Sequence, residues 1–160
     1  MKVARSGQTT RLRLSLAESH VLAQLLSDLQ DELEPDTLDA DDPVHQRLFP
    51  AAYEDDESAE AFREITESGL RQDRSDRADR CLAELLSARS LVRTEISLDA
   101  ESVDRWIRVL NDMRLSFGTR LNISEDDDYA LDADDPDVQI RARYVWLTAL
   151  QDMLVTSLMG

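Results

Sequence analysis

The side chains with the most distinctive chemistry in this 160-residue sequence are one cysteine, Cys81, and two histidines, His20 and His45. One cysteine cannot form an internal disulfide, and three such ligands far apart in the sequence are too few for a structural zinc site. No serine lies in a Gly-rich elbow, and no histidine has partners at a spacing that supports a catalytic triad. We therefore expect no enzymatic activity and interpret both histidines as structural or surface residues.

Cys81 permits two interpretations. Its spacing from Ala78, Leu82 and Leu85 places it at or beside the apolar face of a helix, where a small thiol is usually packed and inert. Three nearby arginines would favour its thiolate if the side chain were exposed, which is what a redox-sensing thiol requires. Cys81 is therefore a redox candidate, as a sensor or an intersubunit disulfide, as well as a candidate core residue.

Loops that bind phosphates or metals are not found in the sequence pattern. The four glycines are scattered, so no Gly-rich turn brings backbone N–H groups onto an anion. The stretches 34–43 and 124–137 are acidic, but both lack the central glycine and the well-placed last glutamate of a calcium loop. The Glu-x-x-His spacing of a di-metal bundle is also absent. We expect no cofactor and no metal, and interpret both stretches as acidic loops.

The charge of the chain restricts its partners. The sequence has 34 acidic and 18 basic residues, and its formal net charge at pH 7 is -16. Because a protein must neutralise phosphates to bind nucleic acid well, direct DNA or RNA binding is disfavoured, and protein partners with basic patches are favoured. We also expect a cytoplasmic location and no membrane span, since the sequence lacks a signal peptide and any run of roughly 18 apolar residues.

The spacing of apolar residues predicts the elements that must position these side chains. Four main helices are expected over about 16–33, 57–89, 100–117 and 137–158. Residues 44–49 predict one further helical turn, which ends before Pro50. Two segments near residues 12 and 95 alternate polar and apolar side chains, as paired strands do.

The predicted fold class is mainly α, with a single domain over residues 1–160. We expect a helical bundle of four main helices with a short two-stranded β ribbon. The last helix is apolar over a wide arc, which favours either a central position in the bundle or burial against a second copy of the chain. A homodimer is a hypothesis that follows from this arc.

Four segments together suggest a family. They are 47–53 (RLFPAAY), 61–66 (AFREIT), 110–121 (LNDMRL and FGTRL) and 145–152 (VWLTALQD). The chain resembles, over nearly its whole length, the actinobacterial family of uncharacterised domains that includes AosR, the aerobic and oxidative stress response regulator. The resemblance implies a mainly helical, cytosolic, non-enzymatic regulator of oxidative-stress-linked transcription that acts through protein contacts. A sigma factor or another RNA polymerase component is the partner we expect.

The resemblance also bears on the thiol. Redox members of the family are associated with two cysteines spaced four residues apart, but here the positions four away from Cys81 are Arg77 and Leu85. An intramolecular thiol switch is therefore excluded. Only an intersubunit disulfide, a mixed disulfide or a sulfenic acid at Cys81 could serve in redox sensing.

The segments that carry the resemblance contain polar residues that a hydrophobic core does not need. These candidates for partner binding are Arg47, Tyr53, Arg63, Thr66, Asp112, Arg114 and Arg120. One interpretation is a set of ion pairs and hydrogen bonds that join helices, because buried charges are tolerated only when paired. The other is a shared polar patch that docks a partner, where arginine is favoured.

Two alternative functions remain open at the level of sequence. The family gene neighbourhood includes the ClpS protease adaptor, so the chain could be an accessory protein of ClpS-linked proteolysis. The basic N-terminal arm and the arginines of 71–80 could instead make the chain a direct DNA-binding regulator, with binding that falls steeply with salt.

Overall fold

A computed structural model describes residues 1–50, 57–124 and 131–159 of the chain, and for residues 57–64 it describes the backbone only. These ranges contain three strands and five helices. In chain order they are β1 (Lys2–Ser6), β2 (Thr9–Leu14), α1 (Leu16–Leu33), α2 (Pro43–Leu48), α3 (Glu57–Ser87), β3 (Thr94–Leu98), α4 (Ala100–Arg120) and α5 (Val138–Met159). The mainly helical class with four main helices is confirmed.

The sheet has three antiparallel strands in the order β1-β2-β3, so the predicted two-stranded ribbon was wrong by one strand. β1 and β2 form a hairpin in which Lys2 pairs with Arg13 and Ser6 with Thr9. Gly7 makes the turn with a φ of +63°, a conformation that glycine adopts without steric cost. β1 was missed because Val3 is its one residue that faces the core, which leaves almost no alternation to detect.

The helices begin where local capping chemistry allows. The Ser15 side chain accepts a hydrogen bond from the backbone of Glu18, and the Glu18 carboxylate accepts one from the backbone of Ser15, which completes a capping box for α1. Asp99 caps α4 in a similar way by accepting from the backbone N–H of Ser102. These caps satisfy N–H groups that have no partner inside the helix.

The core lies between the sheet and the helices. Leucines at helical spacing along α1 are buried, and α1 packs against α3 while α4 packs against α5. The short α2 lies on α4, and the hairpin contacts α5. α4 is therefore the central element, with Trp106 and Met113 fully enclosed. Among the helices that the structure describes, none combines the length and the apolar character needed to cross a membrane.

Candidate functional site

Cys81 lies in the core and has no exposed surface. Burial, with a smaller contribution from the negative charge of Glu84, raises the pKa of its thiol to about 12, and the neighbouring Arg105 only partly opposes this. The thiol is therefore protonated and enclosed at neutral pH. This environment fits the packing interpretation of Cys81 and lacks the exposure that a redox sensor requires.

Two of the polar candidates form ion pairs between helices. Asp112 is 3% exposed and pairs with Arg74 of α3, while Arg77 lies 3.9 Å from its second carboxylate oxygen. Arg120 pairs with Glu32 of α1 at 2.6 Å. Burial raises the pKa of Glu32, although the Ser116 hydroxyl and Arg120 act in the opposite direction. Asp112 and Arg120 thus join α4 to its neighbours, as the structural interpretation predicted.

Arg114 is different, because no carboxylate of the described residues lies within 4.0 Å of its guanidinium. Its Nη1 donates a hydrogen bond to the side-chain oxygen of Gln151 on α5, and Gln151 in turn donates to the backbone oxygen of Ile107 at 3.1 Å. The guanidinium carbon lies 5.4 Å from the centre of the Tyr144 ring. Neutral groups therefore orient this cation without cancelling its charge.

The contrast with the other arginines is clear in the described residues. Apart from Arg114, every arginine that is at least partly buried has a carboxylate partner: Arg13, Arg71, Arg74, Arg77, Arg105 and Arg141. Arginines without such a partner are otherwise exposed to solvent. In a chain with 34 acidic residues, a half-buried arginine that lacks a carboxylate calls for a physical explanation.

Arg114 lines a cavity of about 300 Å³, which we call the Arg47–Arg114 pocket. Its walls come from the end of α2, the second half of α4 and the start of α5. The lining residues are Arg47, Arg114, Leu115, Gly118, Thr119, Asn122, Ile123 and Tyr144. The exposed side chain of Arg47 adds a second positive charge, so two of the predicted partner-binding residues lie in one cavity.

Two backbone features shape this pocket. A Cβ atom at Gly118 would lie 3.3 Å from the Tyr144 ring, so the absence of a side chain lets that ring approach α4 closely. α4 then ends in a Schellman motif, with Asn122 at a φ of 51° and the Ile123 N–H donating to the oxygen of Gly118 at 2.8 Å. The motif occupies carbonyl oxygens at the negative end of the helix.

The remaining polar candidates do not join the pocket in the part of the chain that the structure describes. Thr66 is exposed on α3 and does not line the cavity. Tyr53 and the side chain of Arg63 lie outside the described residues. Sequence reasoning missed Gln151 and the role of Tyr144, because a residue on an apolar helical stripe is ordinarily interpreted as core.

The chemistry of the pocket is that of anion recognition. The donors at its wall are the two guanidinium groups and the Asn122 amide, with the Tyr144 hydroxyl beside them. The Thr119 hydroxyl also lies at the wall, but it donates its proton to the backbone oxygen of Leu115 at 2.7 Å. Over the described ranges, no group of three or more His, Cys, Asp or Glu side chains is placed to hold a metal ion.

Comparison with known proteins identifies a family for this chain. A family model described as a domain of unknown function, DUF2017, matches residues 1–158. No curated protein and no solved structure matches the chain. The match extends over both the helical bundle and the sheet.

Proposed function

The chain belongs to the DUF2017 family, and we propose that it is a non-enzymatic regulatory protein that acts by contacting other proteins. The more specific proposal is regulation of oxidative-stress-linked transcription, with a sigma factor or another RNA polymerase component as the partner. That part depends on the resemblance to the family that includes AosR. The observation that carries the protein-contact proposal is an apolar turn on the surface.

This turn consists of residues 90–93 between α3 and β3. Leu91 is 95% exposed and Val92 is 79% exposed, although turn positions usually hold polar residues or glycine. The turn is well formed, because the Ser90 hydroxyl donates to the backbone oxygen of Arg93 at 2.7 Å and the Ser90 N–H donates to the same oxygen at 3.1 Å. A single exposed apolar residue is common, but two adjacent ones held at the tip of an ordered turn favour burial against a partner.

The charge of the protein indicates the kind of partner. With a formal net charge of -16 and most half-buried arginines in internal ion pairs, the surface as a whole is acidic. A partner with a basic surface would be attracted at long range, and the apolar turn would then supply short-range contact. Basic surfaces are typical of proteins that bind nucleic acid.

Direct DNA binding is a weaker proposal on the same evidence. Three arginines of the basic segment 71–80 have intramolecular partners: Arg71 pairs with Glu67, and Arg74 and Arg77 pair with Asp112. These pairs reduce the positive charge that the segment could offer to phosphates. Binding to duplex DNA at low salt would favour this alternative over the protein-contact proposal.

The test measures binding of purified RNA polymerase core, sigma factors and ClpS to the immobilised protein by biolayer interferometry. We expect a sigma factor or the polymerase to bind, and the double variant Leu91→Ser/Val92→Ser to weaken that binding at least tenfold, about 1.4 kcal/mol. Leu158→Ser is the matched control, since Leu158 is also an exposed leucine but lies near the end of α5.

Three results would contradict the proposal in different ways. Binding to ClpS alone would replace transcription with proteolysis as the regulated process. Equal loss of binding in the control variant would remove the apolar turn as the contact. Failure of every component to bind would remove the protein-contact proposal for this set of partners.

A further inference from the structure

We propose that the Arg47–Arg114 pocket binds a small molecule through a carboxylate or phosphate group. The proposal is independent of the protein-contact function, because the pocket and the apolar turn share no residues. The two positively charged arginines that line the cavity indicate that its ligand carries a negative charge. Four observations support it.

The first observation is the uncompensated charge. Arg114 is half-buried, has no carboxylate partner among the described residues, and has an Nε atom that is buried with no hydrogen-bond partner there. Partial burial of a cation costs free energy that an opposite charge normally offsets. An oxyanion in the adjacent cavity would supply that charge, and guanidinium groups bind carboxylates and phosphates through paired hydrogen bonds.

The second observation is the orientation of Arg114. Its contact to Gln151 and the hydrogen bond from Gln151 to the backbone of Ile107 link the guanidinium to two helices. The Tyr144 ring supports it from another side, and the Tyr144 hydroxyl lies 3.4 Å from Nη2. A cation that is already oriented loses less conformational entropy when it binds a ligand. A glutamate at position 151 could still accept from Arg114, but it would neutralise the cation and could not donate to the backbone oxygen of Ile107.

The third observation is the second cation. Arg47 lines the same cavity, and the described part of the chain offers its guanidinium no hydrogen bond or ion pair. α2 brings it to the pocket because α2 packs on α4. Two guanidinium groups around one cavity favour an anion over a neutral or positive ligand.

The fourth observation is the size and character of the walls. A cavity of about 300 Å³ lies at the small end of ligand pockets. Leu115, Ile123 and the Tyr144 ring provide apolar surface beside the charged groups. The ligand that fits is therefore an oxyanion attached to a small organic group.

Two features oppose anion binding and set its strength. The net charge of -16 repels anions, but charges more than about 8 Å away are largely screened at physiological ionic strength. The negative end of α4 also lies at the pocket, but the Schellman motif engages two of its carbonyl oxygens. The acidic residues 125–128, which closely follow the lining residue Ile123 in the sequence, add further negative charge. Binding through the two arginines is therefore expected to be weak but saturable.

The experiment titrates the full chain with inorganic phosphate and, separately, with succinate at constant ionic strength. Nitrogen-15 NMR of the arginine Nε–H groups reports binding at each guanidinium. We expect saturable shifts at Arg114 with at least one probe, and the probe with the higher affinity identifies the ligand group as phosphate or carboxylate. Arg47→Ala should weaken binding at least tenfold. Arg143→Ala is the control, since Arg143 is an exposed arginine of α5 that does not line the pocket.

The decisive variant is Gln151→Glu, which places a carboxylate on the contact atom of Arg114. It should abolish binding of both probes while circular dichroism shows that the chain stays folded. Because a glutamate cannot donate to the backbone oxygen of Ile107, the urea midpoint of unfolding should fall, and binding is compared in the absence of urea, well below that midpoint. Absence of saturable binding to the wild-type chain would overturn the proposal. Equal binding to the wild-type, Arg47→Ala and Gln151→Glu chains would also overturn it, because the site would then lie elsewhere.

Discussion

Removal of the buried pair between Arg74 and Asp112 should show how strongly α3 is held to α4. Asp112 is 3% exposed and serves both Arg74 and Arg77, while burial, with the charge of Arg77, lowers the pKa of Arg74. The variant Asp112→Leu leaves both cations without their carboxylate. Removing one partner of a buried ion pair costs about 3 to 5 kcal/mol. This is a large part of the free energy of unfolding of a typical domain, which is about 5 to 15 kcal/mol.

The double variant Arg74→Met/Asp112→Leu should recover most of that loss. Two apolar side chains of similar size avoid the desolvation of Arg74 and Asp112, and Arg77, whose side chain is 26% exposed, can be solvated by water. The free energy of unfolding of the double variant should therefore lie within about 2 kcal/mol of wild type. The four chains of this cycle are compared by urea unfolding followed by circular dichroism. We expect a coupling free energy of at least about 2 kcal/mol.

The exposed pair between Arg108 and Asp104 is the matched control. It is also an arginine–aspartate pair, here within α4 at 2.7 Å, and its side chains are 60% and 59% exposed. Its coupling free energy should not exceed about 0.5 kcal/mol, because solvent screens both charges. A cost below about 1 kcal/mol for Asp112→Leu, or equal coupling in the two cycles, would refute the reasoning that burial makes this pair strong.

Three further predictions concern single side chains. At pH 8 the native Cys81 thiol should react with a disulfide reagent about a thousandfold more slowly than the same thiol in the unfolded chain. The reason is that a pKa of about 12 in place of 9.0 lowers the thiolate fraction by roughly that factor. Equal rates in the two states would refute the burial of Cys81. Ser15→Ala should lower the free energy of unfolding by about 1 kcal/mol through loss of the α1 cap, as urea unfolding would detect, whereas an unchanged midpoint would refute the cap. Burial raises the pKa of Glu67, but hydrogen bonds from Arg71 and His45 outweigh this effect, and the pKa is lowered overall. Below about pH 4.5 the unfolded state therefore binds more protons than the native state, so the free energy of unfolding should decrease as the pH falls. Glu67→Gln should make this decrease less steep in a curve of stability against pH. An unchanged decrease would contradict the prediction.

Helix positions could be predicted from the sequence because helices are determined largely by neighbours in the chain. The spacing of leucines in α1 and the Ser15–Glu18 capping box locate that helix to within a residue. The cap at Asp99 similarly gives the start of α4. The helical turn that ends before Pro50 was also predicted, since a residue before proline disfavours helical backbone.

The strand that the sequence analysis missed, β1, could not be predicted in this way. β1 has one partly buried apolar residue, Val3, and its pairing with β2 is a contact across a hairpin whose register depends on the turn at Gly7. The other four residues of β1 are exposed, and its pairing with β2 is made by backbone groups, which leave little trace in side-chain patterning.

The candidate site shows the same division between local and distant information. The sequence by itself determined that Arg114 and Arg120 follow an apolar helical face, where they could pair with acidic residues of another helix. Only the tertiary structure decided that Arg120 meets a carboxylate while Arg114 meets Gln151 and shares a cavity with Arg47. Ion pairs between helices depend on packing and crossing geometry, which no local pattern encodes.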